Sequence, residues 1–242
     1  MENIIFKFEE NIISENAQAY FEAMCGFNAS SPKVEKMKAQ AIELKNRLID
    51  ENKVNVRGIF SVYDGQVLTD EILTIDNVDF LFSVFKGIKK ESIIEIIPYI
   101  LTAGDYEMTD QSVALDVFFA DTYGTAYVDA GRDEIKKVLL KRAEERLNSS
   151  GQEGKKLYIS DSIGPGFYGM DVAKVESFFK ILDYKMIGVE INSHCVMIPV
   201  KSCVGMFIIL DDESMLPSYD CMSCVSKTQS CNFCRFKYKE SK

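Results

Sequence analysis

A single long helical pattern covers residues Thr109–Leu147, and any fold of this chain must accommodate a helix of that length. Apolar side chains recur along it at helical spacing, which predicts a helix with one buried face. That face includes Val113, Val117, Ala120, Tyr127, Ile135, Val138 and Leu139. Gly124 and Gly131 interrupt the pattern, and a glycine inside a helix costs about 1 kcal/mol relative to alanine. The two glycines therefore predict either close packing against another element or a break into two helices.

Shorter segments around this helix predict further helices and strands. Ser31–Pro32 is typical of a helix start, and the apolar spacing carries that helix to about Asn52. Alternating apolar residues in Val54–Tyr63 predict a half-buried strand, and the apolar, β-branched runs Ser92–Leu101 and Val204–Leu210 predict two more. Because helices and strands do not alternate regularly, an α+β architecture is favoured over a doubly wound sheet.

Two further patterns complete the prediction. Asp64–Gly65 is typical of a hairpin turn, so Gln66–Ile75 is expected to return as the partner of the preceding strand. Met186–Ile191 is apolar and β-branched and predicts another strand.

Composition and charge limit the kinds of partner that this protein can bind. The 242 residues are 47% hydrophobic and 27% charged, as in an ordinary globular protein. The formal net charge of −9, with scattered lysines and arginines, argues against nucleic acid, since an acidic surface repels a phosphate backbone. The N-terminus lacks a secretory signal pattern, and no apolar run is long enough to span a bilayer. We therefore expect a cytoplasmic protein that does not contact a membrane.

Four of the seven cysteines follow the pattern Cys221-x2-Cys224-x6-Cys231-x2-Cys234. Two Cys-x2-Cys pairs let four thiolates converge on one metal, and both tetrahedral zinc and a [4Fe–4S] cluster take four cysteines. The spacing does not distinguish between these two metal centres. We expect an α+β domain over residues 1–212 and a cysteine-rich metal-binding tail over residues 213–242.

The sequence offers no set of side chains for acid–base or nucleophilic catalysis. His194 is the only histidine, and neither a P-loop nor a dinucleotide-binding fingerprint is present. Asp121 lies beside Ala120 and Gly124 on the more apolar side of the long helical pattern. Its carboxylate is expected either to meet a cationic ligand or to take structural hydrogen bonds.

Three stretches resemble the activation domain of cobalamin-dependent methionine synthase, also called its reactivation domain. Ser162-Ile-Gly-Pro-Gly-Phe167 lies where that family has an arginine followed by Pro-Gly-Tyr. Ile187–Ile191 and Met197–Gly205 resemble the family's Gly-x-x-Leu and Met-x-Pro-x-x-Ser-x-x-Gly motifs, and Asp121–Ala126 resembles a helix start in short anaerobe-type members. With an upstream strand in the expected order, the resemblance covers most of residues 30–210.

The resemblance implies a mostly antiparallel sheet flanked by long helices, here in a stand-alone form. It also implies that the chain binds S-adenosylmethionine and presents its methyl group to a corrinoid (vitamin B12) cofactor whose cobalt has been oxidised to Co(II). The corrinoid supplies the nucleophile, so the protein's task is positioning, and no catalytic residue is expected. The chain would thus be a component associated with a methyltransferase, and whether it is itself an enzyme stays open.

The corrinoid is expected in trans, because the sequence has no corrinoid-binding Asp-x-His-x-x-Gly motif. The implied partners are a corrinoid-binding methyltransferase or methionine synthase subunit, and an electron donor such as flavodoxin or ferredoxin. The alternative is a non-catalytic docking or electron-transfer module for a corrinoid protein.

By position, the ligand would lie against the Pro165–Phe167 turn and the Met197–Gly205 segment. The resemblance implies that the site contains Asp121, Asp129, Ser162, Gly164, Pro165, Gly166, Phe167, Tyr168, Met197, Pro199, Ser202 and Gly205. The two glycines of the turn would let the backbone approach the ligand, and one of the two aspartates would receive its ammonium group. Ser162 replaces the family arginine that would hold the ligand's carboxylate, a loss of about 2–3 kcal/mol, and Lys155 or Lys156 is the candidate substitute.

Overall fold

The computed structural model describes residues 2–27, 31–69, 72–81, 83–108, 113–151, 154–167 and 170–217. Its α-helices are α1 (Glu10–Cys25), α2 (Pro32–Asp50), α3 (Ala114–Ser149) and α4 (Val175–Ile181). Its strands are β1 (Ile4–Lys7), β2 (Val54–Phe60), β3 (Leu68–Thr69), β4 (Ile72–Ile75), β5 (Val78–Leu81), β6 (Ile93–Gly104), β7 (Tyr158–Ile159), β8 (Glu190–Ile191), β9 (Met197–Ile198) and β10 (Lys201–Leu210).

Five strands form a central antiparallel sheet in the order β1-β2-β6-β10-β7. Side chains alternate between the two faces of a strand, so each face builds its own core. One face packs against α1, α2 and α3, and the other packs against α4 and a small sheet of β3, β4 and β5. The α+β class and the mostly antiparallel sheet are therefore confirmed.

The long helical pattern forms one helix, α3, without a break at either glycine. A Cβ atom at Gly131 would lie 2.7 Å from Val56 Cγ1 and 3.2 Å from Leu101 Cδ1. A Cβ atom at Gly124 would lie 2.5 Å from Lys201 Cγ. The glycines thus let α3 approach the sheet closely, and the predicted alternative of a break is wrong.

Three valines assigned to the buried face of α3 are exposed instead, namely Val113, Val117 and Val138. The helix α3 lies between the sheet and α1. The side chains that it buries are therefore those that face either of these two neighbours, and not those of a single apolar stripe. On the α1 side the ring of Tyr123 stacks on Phe21, with ring centroids 3.8 Å apart.

The C-terminal half of α3 is fixed to β6 by a buried carboxylate. Glu95 is 3% exposed, accepts a hydrogen bond from Arg142 Nη1 at 3.0 Å and forms a 2.8 Å ion pair with Arg146 Nε. Because α3 contacts Leu101 near its middle and Glu95 further on, it runs antiparallel to β6.

The predicted start of α2 is confirmed. Ser31 Oγ accepts a hydrogen bond from the backbone amide of Val34 at 3.3 Å, and Pro32 occupies the first turn. The helix ends at Asp50, close to the expected end.

The predicted hairpin after β2 is wrong. The Asp64 carboxylate accepts a hydrogen bond from the Gln66 amide at 2.8 Å and opens a 3-10 turn, Gly65–Val67, which leads into the separate sheet of β3, β4 and β5. Both edges of β2 are already paired, with β1 and β6, so no edge is left for a returning strand.

The strand predicted over Met186–Ile191 is mostly wrong. Its first residues belong to a 3-10 turn, Tyr184–Ile187, which ends at Gly188 with a φ of 64°. Only the last two residues, β8, pair as a strand, with β9. Among the described helices none is long and apolar enough to cross a membrane.

Candidate functional site

Two hydroxyl groups meet on the side of the sheet that faces α3. Ser162 Oγ, in the segment after β7, lies 2.7 Å from Tyr99 Oη on β6. Tyr99 is fully buried, and its ring stacks on Phe207 with ring centroids 5.0 Å apart. Burial raises the pKa of Tyr99 well above its ordinary value, so the phenol is neutral at physiological pH.

Gly205 on β10 makes room for these two hydroxyls. A Cβ atom at this position would lie 2.5 Å from Ser162 Oγ and 3.2 Å from Tyr99 Oη. A Cβ contact of 2.5 Å is too short to occur without movement. The position therefore requires glycine for as long as Ser162 keeps its place.

Asp129 and Arg132 of α3 form an ion pair. Arg132 Nη2 lies 2.8 Å from Asp129 Oδ1, and the side chains of Arg132 and Asp129 are 32% and 21% exposed. Burial raises the pKa of Asp129, and the charge of Arg132 opposes this effect. Burial also disfavours the charged form of Arg132, but acidic neighbours that include Asp129 more than compensate, so its pKa lies above the ordinary value. Arg132 therefore stays charged while remaining accessible to a ligand.

Contacts on either side of Arg132 fix its position along the sheet. Gly131 packs against Leu101 of β6. Lys136, one helical turn beyond Arg132, forms a 2.7 Å ion pair with Asp161 Oδ1, immediately before Ser162. Arg132 thus lies over the stretch of sheet between these two contacts.

The charge of Arg132 acts on the half-buried Cys203 and on the buried Tyr99, both close to Gly205. Burial raises the pKa of Cys203 to about 11, and Arg132 acts in the opposite direction. Arg132 has the same opposing effect on Tyr99. One polar cluster therefore lies between α3 and the sheet, and we define it by four side chains: Tyr99, Asp129, Arg132 and Ser162.

The polar cluster combines one cation, one carboxylate and two neutral hydroxyls. Its neighbour Cys203 is protonated at neutral pH, so it is a poor nucleophile. The arrangement suits the binding and orientation of a charged ligand, and it does not suit covalent catalysis by the protein.

The Gly-Pro-Gly turn packs against β10, and its predicted contact with a ligand stays a prediction. A Cβ atom at Gly164 would lie 2.7 Å from the carbonyl oxygen of Val204, so the close approach of Gly164 is to β10. The Gly166 amide donates to the Met170 carbonyl at 2.9 Å. Pro165 lies in this turn, and Phe167 after it is 55% exposed. Tyr168 lies outside the described residues.

The Met197–Gly205 segment contains β9, which pairs with β8, and the first half of β10, which pairs with β6. Met197 packs into the core on the far side of the sheet, and Pro199 accepts a 2.6 Å hydrogen bond on its carbonyl from Ser202 Oγ. Because strand side chains alternate, Ser202 and Gly205 belong to opposite faces. Of these predicted site residues, the structure brings only Gly205 to the polar cluster.

Asp121 lies apart from the polar cluster. Its side chain is 68% exposed and pairs with Lys201 Nζ at 2.6 Å, so the cation that it meets belongs to the protein. At 1.5 Å per residue it lies about 12 Å along α3 from Asp129. Of the two predicted aspartates, only Asp129 lies in the polar cluster.

The two lysines considered as substitutes for the family arginine have other partners. Lys155 Nζ forms a 2.8 Å ion pair with Asp211, and Lys156 Nζ lies over the Tyr158 ring, 4.8 Å from its centroid. Sequence reasoning missed Arg132 and Tyr99 as members of the cluster. The one signal for Arg132 was its spacing of three residues from Asp129, which places both side chains on one helix face.

The four cysteines predicted to bind a metal, Cys221, Cys224, Cys231 and Cys234, lie outside the described residues. Within the residues that the structure does describe, no group of three or more His, Cys, Asp or Glu side chains is placed to hold a metal ion.

A crystal structure of the MetH reactivation domain bound to AdoHcy is similar to this chain in fold. The TM-score is 0.59, the similarity covers 88% of this chain and 80% of that chain, and the sequences are 11% identical. No protein-family model matches the sequence, and a search of curated proteins finds no match. At this identity the comparison establishes the fold, and it confirms the activation-domain-like fold that the sequence motifs implied.

Proposed function

We propose that this chain binds S-adenosylmethionine and acts as a stand-alone activation subunit for a corrinoid methyltransferase such as cobalamin-dependent methionine synthase. The observation that carries the proposal is the fold shared over 88% of the chain with a domain bound to AdoHcy. The polar cluster supports it, because it offers accessible charges of both signs beside a strand position that only glycine fits.

The residues present fit the ligand's chemistry. S-adenosylmethionine carries an ammonium and a carboxylate on its amino-acid end, and the polar cluster carries one group of each opposite charge. When bound, the ligand supplies an electrophilic methyl group to a reduced corrinoid, and S-adenosylhomocysteine is left. The contribution of this chain is to hold the amino-acid end of the ligand in a fixed orientation. This lowers the entropic part of the activation barrier, and the protein itself forms no covalent bond.

The corrinoid is held by a partner protein, since this sequence lacks the corrinoid-binding motif. Returning Co(II) to the nucleophilic Co(I) state takes one electron, for which a flavodoxin- or ferredoxin-type donor is the proposed source. We further propose that Cys221, Cys224, Cys231 and Cys234 bind one zinc ion or one [4Fe–4S] cluster, on the basis of their spacing.

The test of the activation function is a methylation assay under anaerobic conditions. A Co(II) corrinoid protein is mixed with a reductant and S-adenosylmethionine, with and without this chain, and the visible spectrum of the corrinoid is followed. The proposal predicts that the methylated corrinoid forms only when the chain is present, and not when AdoHcy replaces S-adenosylmethionine. Equal rates without the chain would contradict an activating role, and would favour the alternative of a docking or electron-transfer module.

The metal is tested by analysis of anaerobically purified protein. The proposal predicts stoichiometric zinc, or iron with acid-labile sulfide, in the intact chain. A Cys221→Ser/Cys224→Ser variant should lose the metal, whereas Cys195→Ser, in the described domain, should keep it. Equal metal content in the two variants would contradict the assignment.

A further inference from the structure

The amino-acid end of the proposed ligand lacks an obvious partner for its carboxylate. Ser162 stands where an arginine was expected, and a neutral hydroxyl cannot form a bidentate charged pair. Its Oγ is also engaged with Tyr99 Oη at 2.7 Å. The anion must therefore be held by another cation that reaches the same place.

Most cations along this edge of the protein already have partners. Lys136 pairs with Asp161 at 2.7 Å, and Lys155 pairs with Asp211 at 2.8 Å. Arg142 and Arg146 both bind Glu95, near the far end of α3.

Arg132 lies in the right place and keeps donors for a ligand. It follows Gly131, which packs on Leu101, and lies one turn before Lys136, which pairs with Asp161 next to Ser162. Arg132 therefore lies over the part of the sheet that contains Gly205 and borders Ser162. One contact, from Nη2 to Asp129 Oδ1 at 2.8 Å, accounts for only part of its five N–H donors. Its side chain is 32% exposed, so solvent and a ligand can reach the remaining donors.

The ion pair of Arg132 with Asp129 also places opposite charges next to each other. A guanidinium next to a carboxylate presents a positive and a negative group side by side, which is the complement of an amino-acid zwitterion. Tyr99, whose hydroxyl lies 2.7 Å from that of Ser162, is close enough to feel the charge of Arg132, and both hydroxyls are neutral, so they add no competing charge.

We propose that Arg132 binds the carboxylate of the ligand's amino-acid end, and that α3 thereby supplies the charge that the Ser162 position lacks. Asp129 binds the ammonium group of the same end. The inference rests on the proposed function for the ligand's identity, and it adds which residue recognises the carboxylate and from which element.

The first test changes the ligand rather than the protein, so that misfolding cannot mimic the result. AdoHcy and its decarboxylated analogue, S-adenosyl-3-thiopropylamine, are titrated into the full chain by calorimetry. The inference predicts that removal of the carboxylate weakens binding by about 10- to 100-fold, the range for a charge-assisted hydrogen bond. Equal affinities for the two ligands would overturn the inference while leaving the proposed function intact.

The second test assigns the effect to Arg132. Arg132→Met should reduce the affinity for AdoHcy to nearly that of the decarboxylated analogue, and should change the affinity for the analogue less than about threefold. Lys137→Met is the matched control, because Lys137 lies on the same helix, is 63% exposed and pairs with Glu134. It should leave both affinities unchanged.

Two outcomes distinguish a failure of the inference from a failure of the proposed function. If the wild-type chain distinguishes the two ligands and Arg132→Met distinguishes them equally well, another residue holds the carboxylate and the inference is wrong. If the wild-type chain binds neither ligand, the proposed function fails, and the inference fails with it. A melting curve of each variant shows that it is folded.

Discussion

Replacing Gly205 by alanine should destabilise the protein, although alanine is the smallest possible addition. The new Cβ atom would lie 2.5 Å from Ser162 Oγ, 3.0 Å from the Ile163 carbonyl oxygen and 3.2 Å from Tyr99 Oη. Gly205 lies within β10, hydrogen-bonded between β6 and the segment after β7, so the backbone has little freedom to move away. The Ser162 hydroxyl must therefore turn aside and give up its 2.7 Å contact with Tyr99.

The expected size of the effect follows from overpacking in a well-packed interior. Such insertions cost typically about 1–3 kcal/mol, so we expect a loss of about 2 kcal/mol for Gly205→Ala. For a chain of this length that loss corresponds to a fall in Tm of about 4–8 °C. The assay is urea unfolding followed by circular dichroism, with calorimetric melting as a second measurement.

A double-mutant cycle attributes the loss to the hydroxyl. Ser162→Ala removes the Oγ atom, so Gly205→Ala should cost less in that background, with a coupling energy of about 1 kcal/mol. Some loss should persist, because the Ile163 carbonyl oxygen remains 3.0 Å away. A Gly205→Ala variant within about 0.5 kcal/mol of wild type would refute the close approach of these groups.

Three other predictions concern α3 and the side chains that it covers. Gly131→Leu should lower the free energy of unfolding by about 3 kcal/mol in urea titrations, since even a Cβ atom there meets the sheet at 2.7 Å; unchanged stability would contradict the tight packing. Glu95→Ala should lower it by about 2–3 kcal/mol, because two partly exposed arginines lose the buried carboxylate between them, and a loss below about 0.5 kcal/mol would contradict that role. Cys203, whose pKa burial raises to about 11, should be alkylated by iodoacetamide only at high pH in the folded protein. Arg132→Met should shift that pH profile upward, since the positive charge favours the thiolate; mass spectrometry of labelled peptides measures it, and an unchanged profile would contradict the proximity.

The elements that depend on local sequence were predictable. The Ser31–Pro32 start of α2 follows from capping chemistry within one turn, and the buried runs that became β6 and β10 follow from their apolar, β-branched composition. The hairpin signal at Asp64–Gly65 failed for a non-local reason. The edge that it needed is occupied by β1, whose pairing with β2 joins residues far apart in the sequence.

The candidate site was predictable only in part, for the same kind of reason. The motif around Ser162 and Gly205 identified a strand and a neighbouring segment that do meet, because the resemblance carries three-dimensional information that spacing alone does not. Arg132 was missed because its proximity to Tyr99 depends on where α3 crosses the sheet, and the packing of Gly131 fixes that crossing. In the structure the turn glycine Gly164 approaches β10, and its predicted contact with a ligand stays a prediction.

The proposed function requires that this chain bind S-adenosylmethionine despite the serine at position 162. The most direct measurement is a calorimetric titration of S-adenosylmethionine into the anaerobically purified full chain. We expect saturable binding with one site per chain and a dissociation constant in the micromolar range, about −8 kcal/mol of binding free energy. Absence of binding at millimolar ligand would refute the proposed function, and would mean that the chain shares the fold of the reactivation domain but not its ligand.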